Sequence, residues 1–208
     1  MRQIVLATKN EGKIRELAEP LQVLGIEVLG LGSFPEIGDI EENGTTFAEN
    51  AFIKAKAVAD ITGLAAVSDD SGLEVDALSG RPGVYSARYA NDMPLLDGET
   101  KDERNNRKLL MELKSVPQEK RKARFVCSMA YVEPGCPSAD KALIVHGTWE
   151  GRILEEPRGT DGFGYDPVFF DDALGISAAE MTREQKMERS HRGHAVRQLL
   201  DKLVVLLK

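Results

Sequence analysis

The run Leu64-Ala65-Ala66-Val67 is apolar throughout, lacks polar alternation and is too short for an amphipathic helix. It reads as a strand buried on both faces, which constrains the fold because both faces of such a strand must be covered. Asp69 and Asp70 follow at its expected end, and Ser71-Gly72 predicts a turn. Adjacent strand residues point to opposite faces, so at most one of the two carboxylates faces a given pocket while the other ties down the loop. Two readings fit equally: carboxylates delivered for chemistry, or an ordinary Asx turn. Beyond the turn, Leu73, Val75 and Ala77 alternate with Glu74 and Asp76, predicting a half-exposed strand.

The 208 residues suffice for one large domain or two lobes with a substantial core, and no metal or disulfide is needed to fold them. With 42% hydrophobic and 29% charged residues and no apolar run approaching a membrane span, the chain has the composition of a soluble globule. The N-terminus enters a strand directly, without a signal-peptide apolar region and cleavage site, so a cytoplasmic location is expected. Cys127 and Cys136 have no metal-ligand spacing and are expected to be structural thiols. A net charge of -7 argues against a surface that coats nucleic acid, but leaves room for a small anion held by local lysines.

Ile4 to Ala7 predicts a strand, and Ile14, Leu17, Ala18, Leu21 and Leu24 recur at helical spacing, with Asn10 placed as N-cap and Pro20 expected to kink or end the helix. Lys13 falls in the first helical turn, where the macrodipole disfavours a cation unless an anion binds there; a solvated lysine fits as well. Ile26 to Leu31 predicts a second strand. Thr46 and Glu49 form a capping box ahead of a helix whose buried stripe is Ala48, Ala51, Phe52, Ala55, Val58 and Ala59. Asn50 and Lys54 share one face of it, as a functional pair or a solvated one.

Farther on, Val84 to Tyr89 reads as extended and Asn91 to Asp102 as a polar, mobile excursion, followed by a helix through Leu109, Leu110 and Leu113 that stops near Pro117. Ala123 to Val132 predicts a central strand joined by a hairpin to Ala142 through Trp149. Gly159 to Pro167 packs three glycines with Phe163 and Tyr165 into one loop, either a plain turn or a surface that offers backbone N–H groups and aromatic faces to a ligand. Thr182 and Gln185 form another capping box, on a helix carrying Lys186 and leading to Ser190-His191-Arg192-Gly193. A final packing helix carries Ala195, Leu199, Leu200, Leu203 and Leu207.

Together, acids at Glu41, Glu42, Asp69 and Asp70, cations at Lys13, Lys54, Lys186 and Arg192, and an aromatic loop are what phosphate chemistry on a nucleotide requires. Mg²⁺ takes one or two carboxylates plus phosphate oxygens, cations offset the leaving group's charge, and an aromatic face stacks a base. There is no Walker lysine motif, Rossmann glycine fingerprint or His-rich zinc spacing, so a kinase or dehydrogenase is not expected.

Six blocks in order resemble the inosine/xanthosine triphosphate pyrophosphatase family: Ala7-Thr8-Lys9-Asn10-Glu11-Gly12-Lys13, Thr46 to Ala51 with Lys54-Ala55, Ser68 to Leu73, Pro82 to Arg88, Gly162 to Pro167, and Ser190 to Gly193. The resemblance implies an α/β fold, elongated and two-lobed around a long mixed β-sheet with flanking helices, a single domain over residues 1–208 with the active-site cleft between lobes. It implies a Mg²⁺-dependent hydrolase that converts non-standard purine nucleoside triphosphates such as ITP, dITP and XTP to the monophosphate and pyrophosphate. A homodimer with no nucleic-acid or membrane partner is expected. Carried over position by position, Thr8, Lys9, Asn10, Glu11, Gly12, Lys13 and Lys54 take the triphosphate. Asp70 is the metal-binding carboxylate and general base, Glu42, or Glu41 beside it, the second metal ligand, and Ser71 a substrate contact. Phe163, Gly164, Tyr165, Asp166, Lys186, His191 and Arg192 take the base side. Lys9 stands where the family often has glycine, and Asn91 to Asp102 is longer than usual. A nucleotide-binding regulator that does not cleave, and a related pyrophosphatase for pyrimidine or methylated nucleotides, are the competing readings.

Overall fold

The computed structural model describes residues 2–9 and 11–206, with no account of the side chains of residues 11–13, 15 and 16. Seven strands form one mixed sheet in the order β2-β1-β3-β4-β5-β6-β7: β1 Arg2–Leu6, β2 Ile26–Gly30, β3 Ala65–Val75, β4 Lys122–Val132, β5 Leu143–Ile153, β6 Phe169–Asp171 and β7 Ile176–Ser177. Among the described residues five α-helices accompany it: α1 Glu11–Val23, α2 Phe47–Thr62, α3 Lys101–Glu112, α4 Arg183–Arg189 and α5 His191–Leu206. The α/β fold with a mixed sheet and flanking helices is thus as expected. β1 runs parallel to both β2 and β3, with Ile4 opposite Ala65, while β6 is antiparallel to β5 and β7.

The chain divides into two compact units, the first comprising Met1–Asp70, Cys127–Gly147 and His194–Lys208, the second Ser71–Val126 and Thr148–Gly193. In the first unit the strands alternate strictly. Ile4, Leu6, Val67, Met129 and Tyr131 meet Leu17 and Leu21 of α1 and Ala195, Leu199 and Leu203 of α5. Their neighbours Val5, Ala66, Ala130 and Val132 meet Ala51, Ala55, Val58 and Ala59 of α2. Each fully buried leucine here contributes on the order of 1.5–3 kcal/mol, and alanines at every fourth position of α2 keep its axis close to the strands.

The second unit has its own core, in which Leu73 and Val75 pack with Leu109, Leu113, Phe125, Trp149, Ile153 and Phe169. The Phe125 and Phe169 rings lie 4.5 Å apart and those of Trp149 and Phe169 4.9 Å apart. Its polar anchor is Asp171, 1% exposed. That carboxylate accepts from Trp149 Nε1 at 2.8 Å, Arg189 Nε at 2.7 Å, and the N–H groups of Ala173 and Leu174 at 2.8 and 3.0 Å. Arg121, also buried, donates to the carbonyls of Leu113, Val116 and Leu154 and so ties the end of α3 to the residue after β5.

Several elements depart from the sequence expectation. β3 does not stop at Asp69 and Asp70: it continues to Val75, so the expected turn and the separate strand through Ala77 merge into one, and residues Asp76–Leu78 form a 3-10 turn. Pairing with neighbouring strands overrides the local turn preference of Asp-Asp-Ser-Gly. Val84 to Tyr89 is not extended; Gly83–Arg88 is 3-10 helical, with Ser86 Oγ donating to Gly83 O at 2.6 Å and accepting from Leu73 N at 2.9 Å. α1 runs past Pro20 to Val23, and Asn10, expected as its cap, lies outside the described residues, as does Leu207. The capping boxes at Thr46/Glu49 and Thr182/Gln185 are formed as expected. Both cysteines are free thiols, Cys127 buried. Among the described residues no helix is long and apolar enough to cross a membrane.

Asp171→Ala is expected to cost about 2–4 kcal/mol in denaturant unfolding at pH 7, since it strips a buried acceptor from donors on four residues. Burial raises the Asp171 proton affinity, but Arg189, Trp149 and the two amides outweigh it and leave the carboxyl below its ordinary value of 3.8. The stabilisation is therefore complete above pH 3.8 and is lost as pH falls through the lower folded value, so the gap between wild type and variant should close in that acid window.

Candidate active site

In the first unit, β3 and α2 build a cluster of charge. Ala66, Ser68 and Asp70 share one face of β3, and Ser68 Oγ donates to Ala51 O of α2, so Asp70 is delivered to the α2 side while Asp69 points to the other. The expectation that the two carboxylates face apart therefore holds, although they stand within a strand. One turn apart on α2, Asn50 Nδ2 donates to Asp70 Oδ2 at 3.0 Å and Lys54 Nζ donates to the Asp69 carbonyl at 2.7 Å. The Asn50/Lys54 face is thus turned to the acids and is not a solvated pair.

Glu42 arrives from the loop before α2, with its carboxylate 3.3 Å from Lys54 Nζ. The loop is held there by Gly44, whose N–H donates to Asn50 Oδ1 at 2.8 Å. A Cβ on Gly44 would stand 2.7 Å from both Asn50 Oδ1 and Glu49 Cβ, so a side chain there would push the loop away. Asn50 thereby bridges loop and strand while 1% exposed. Its spacing from Lys54 was the signal in the sequence; its role as the bridge was not legible there. The Asp70 carboxyl is raised above its ordinary 3.8, first by burial and then by the Glu42 and Asp69 charges, against the opposing pull of Lys54 and Asn50. Glu41 is exposed. Lys9, an exposed side chain, pairs with Asp39 at 2.9 Å. Thr8 is part-buried, with its N–H donating to Leu6 O at 2.8 Å, while Asn10 and the side chains of Glu11 and Lys13 lie outside the described residues, as does the environment of Gly12.

The second unit assembles the other candidates. Phe163 is 57% exposed, with the Arg192 guanidinium 5.8 Å from its ring centre. Arg192 also donates to Ser71 Oγ at 3.3 Å. Asp166 Oδ2 accepts from Lys186 Nζ at 2.8 Å and from Phe163 N at 3.2 Å, and Gly162, at φ +88°, passes so close that a Cβ would stand 2.1 Å from that oxygen. His191, at the start of α5, stacks on Phe125 at 4.8 Å with an interplanar angle of 15°. Tyr165 lies in the core with its hydroxyl donating to Ser86 O at 2.8 Å, so of the two loop aromatics only Phe163 presents a face outward. Gly164 is gripped by α3, through Asp102 and Asn106, neither of which the sequence singled out for the site.

Because the fold holds Asp70 above its ordinary proton affinity, its ionised form is disfavoured relative to the unfolded chain. The resulting loss of stability is absent below pH 3.8 and sets in as pH rises through the higher folded value. Asp70→Asn should accordingly melt at a higher temperature than wild type at pH 7, with the difference vanishing near pH 3.5; an equal or lower melting temperature at pH 7 would show that burial does not strain this carboxylate.

The chain matches the sequence model of the Ham1 family over residues 4–202. It is 56% identical over 198 residues to a dITP/XTP pyrophosphatase of Nitratidesulfovibrio vulgaris, covering 95% of this chain and 94% of that protein. A dITP/XTP pyrophosphatase of Shigella flexneri is 47% identical over 203 residues, 98% of each chain. Among solved structures, a Ham1 protein from Coxiella burnetii superposes with a TM-score of 0.88 at 42% identity, covering 98% of this chain and 99% of that one. The Staphylococcus aureus Ham1 protein gives 0.84 at 38% identity, covering 97% and 98%. Sequence match and fold agree over nearly the whole length, and the chain belongs to the Ham1 family.

Proposed function

We propose that this protein is a Mg²⁺-dependent nucleoside triphosphate pyrophosphohydrolase that converts ITP, dITP and XTP to the monophosphate and pyrophosphate, keeping deaminated purines out of the nucleotide pool. The observation that carries the reading is the Glu42, Asp70, Lys54 and Asn50 cluster, in a chain whose relatives are named dITP/XTP pyrophosphatases. A homodimer acting in the cytoplasm, on free nucleotides and without nucleic acid or membrane, completes the proposal on the strength of the family resemblance.

The donor set fits Mg²⁺. Glu42 and Asp70 are hard oxygen donors, and the charge of one raises the proton affinity of the other, a repulsion that a dication relieves. These two carboxylates would hold the ion, which when bound supplies neutralisation of phosphate charge. Asp70, oriented by Asn50, takes the proton from the attacking water. Attack falls on the α-phosphorus, the bond to the bridging oxygen breaks, and pyrophosphate leaves with its charge offset by Lys54 and by the residues from Thr8 to Lys13.

The base side falls to the second unit. Phe163 offers the exposed aromatic face, and Arg192, partly desolvated and near that ring, is the cation that reads the purine edge. Hypoxanthine carries an acceptor oxygen at C6 where adenine carries a donor amine, so a donor aimed at that atom rewards one base and faces a donor on the other. Unpaired polar groups of this kind support discrimination on the order of 10⁴.

Incubation with ITP and Mg²⁺ should release pyrophosphate and IMP in one step; IDP and orthophosphate as first products would overturn the assignment. Asp70→Asn should lower kcat by about a hundredfold or more with the fold retained, Glu42→Gln should act similarly, and Glu41→Gln much less, as measured by pyrophosphate release. Arg192→Ala should reduce kcat/KM for ITP far more than the trace activity on ATP. Equal proportional losses would place Arg192 on phosphate or structure instead.

A further inference from the structure

We propose that Asp102 and Asn106 are positioning residues for base recognition, holding Phe163 in place by gripping both peptide groups of Gly164 from one face of α3. The inference rests on the reading of Phe163 as the stacking face. It also assigns work to the end of the Asn91 to Asp102 stretch.

Phe163 is exposed, with the Arg192 guanidinium 5.8 Å from its ring centre, so the backbone on either side helps to set where the ring points. On its N-terminal side, Phe163 N donates to Asp166 Oδ2 at 3.2 Å. On the other side, Gly164 N donates to Asp102 Oδ2 at 2.7 Å, and this N–H belongs to the peptide that leads out of Phe163. The next peptide is held as well, because Asn106 Nδ2 donates to Gly164 O at 2.9 Å. Residues 102 and 106 lie one helical turn apart and so face the same way. Gly164 sits at φ +61°, a left-handed conformation that side chains rarely adopt and that here turns its two peptide groups toward the helix. The bond to Asp102 is charge-assisted, the stronger kind.

The helix that grips the loop is itself braced. Thr100 and Glu103 form a capping box at its start, and Asn105 Oδ1 accepts from Ala90 N at 2.8 Å. Arg104 donates to Asn91 Oδ1 and Met93 O, Arg107 pairs with Glu99 at 2.6 Å, and Lys108 pairs with Asp92 at 2.7 Å. The polar stretch that the sequence marks as mobile is thus fastened to α3, and Glu99, pulled down to about 2 by Arg107, stays charged across the working pH range. Asp102 and Asn106 act on the base through Phe163.

The test is a double-mutant cycle on ITP hydrolysis, joined to hydrogen exchange at the Gly164 amide. Asp102→Ala should raise KM for ITP about three- to tenfold with kcat within about twofold, the scale of one lost hydrogen bond. Asp102→Asn, which keeps an acceptor oxygen, should restore most of that loss, and Asn106→Asp, which has no donor for Gly164 O, should resemble Asp102→Ala. Inhibition by pyrophosphate, which has no base, should stay unchanged. Adding Asp102→Ala to Phe163→Ala should cost nothing further, whereas effects that multiply would show independent roles and overturn the proposal. So would an Asp102→Asn variant as impaired as Asp102→Ala. A wild-type protein inert toward ITP would instead overturn the proposed function; faster Gly164 exchange in Asp102→Ala than in Asp102→Asn would then support the grip itself, and equal exchange would refute it.

Discussion

The arrangement on which the candidate chemistry depends is the close packing of α2 against β3. Ala51, Ala55 and Ala59 carry no bulk beyond Cβ, so the helix settles onto Ala66 and the strands beside it, and the polar residues of its first turns come level with Asp69 and Asp70. Larger side chains at those three positions would overpack a closed interface and lift the helix, with a cost of about 1–3 kcal/mol each and loss of the Asn50 and Lys54 contacts. Stability and site geometry are here the same contact.

That contact also explains why a charged cluster survives part-buried. Asp70 is desolvated and crowded by two other acids, yet it keeps a directional donor in Asn50 and a cation in Lys54. Desolvation and the crowding acids disfavour its charged form, so the fold gives up stability at the carboxylate on which the proposed reaction depends. The opposite use of a carboxylate appears at Asp171, where donors from four residues hold the charge and the residue secures the second unit's core. One sequence places the same side chain in two electrostatic settings, and the donors around it decide which role it takes.

The division between the units follows the chemistry of the residues as well. The candidate metal carboxylates Glu42 and Asp70 and the candidate phosphate cation Lys54 belong to the first, and the aromatic and edge-reading candidates, Phe163, Lys186 and Arg192, to the second. Asp70 and Ser71, chain neighbours in the middle of β3, are one of the four places where the chain passes from one unit to the other.

The sequence by itself determined whatever depends on near neighbours in the chain. The capping boxes at Thr46/Glu49 and Thr182/Gln185, the buried Ala51, Ala55, Val58 and Ala59 of α2 (though Ala48 and Phe52, expected with them, are only half-buried), the shared face of Asn50 and Lys54, and the apolar strand from Ala123 to Val132 were legible because a period of 3.6 or 2 and a three-residue reach fix them. The family, and with it Asp69 and Asp70, was legible in six short blocks for the same reason: each block is a local segment. Tertiary structure decided the rest. β3 runs through Asp-Asp-Ser-Gly because strands far along the chain pair with it, and no local signal encodes that pairing. Gly83–Arg88 coils because Ser86 ties it back to Leu73. Tyr165 goes inward and Phe163 outward because Ser86 O accepts the tyrosine hydroxyl across 79 residues of sequence and Asp102 takes Gly164 N across 62. Hydrogen bonds between distant segments are fixed only once the core has closed, and a linear pattern contains no record of which donor will then meet which acceptor.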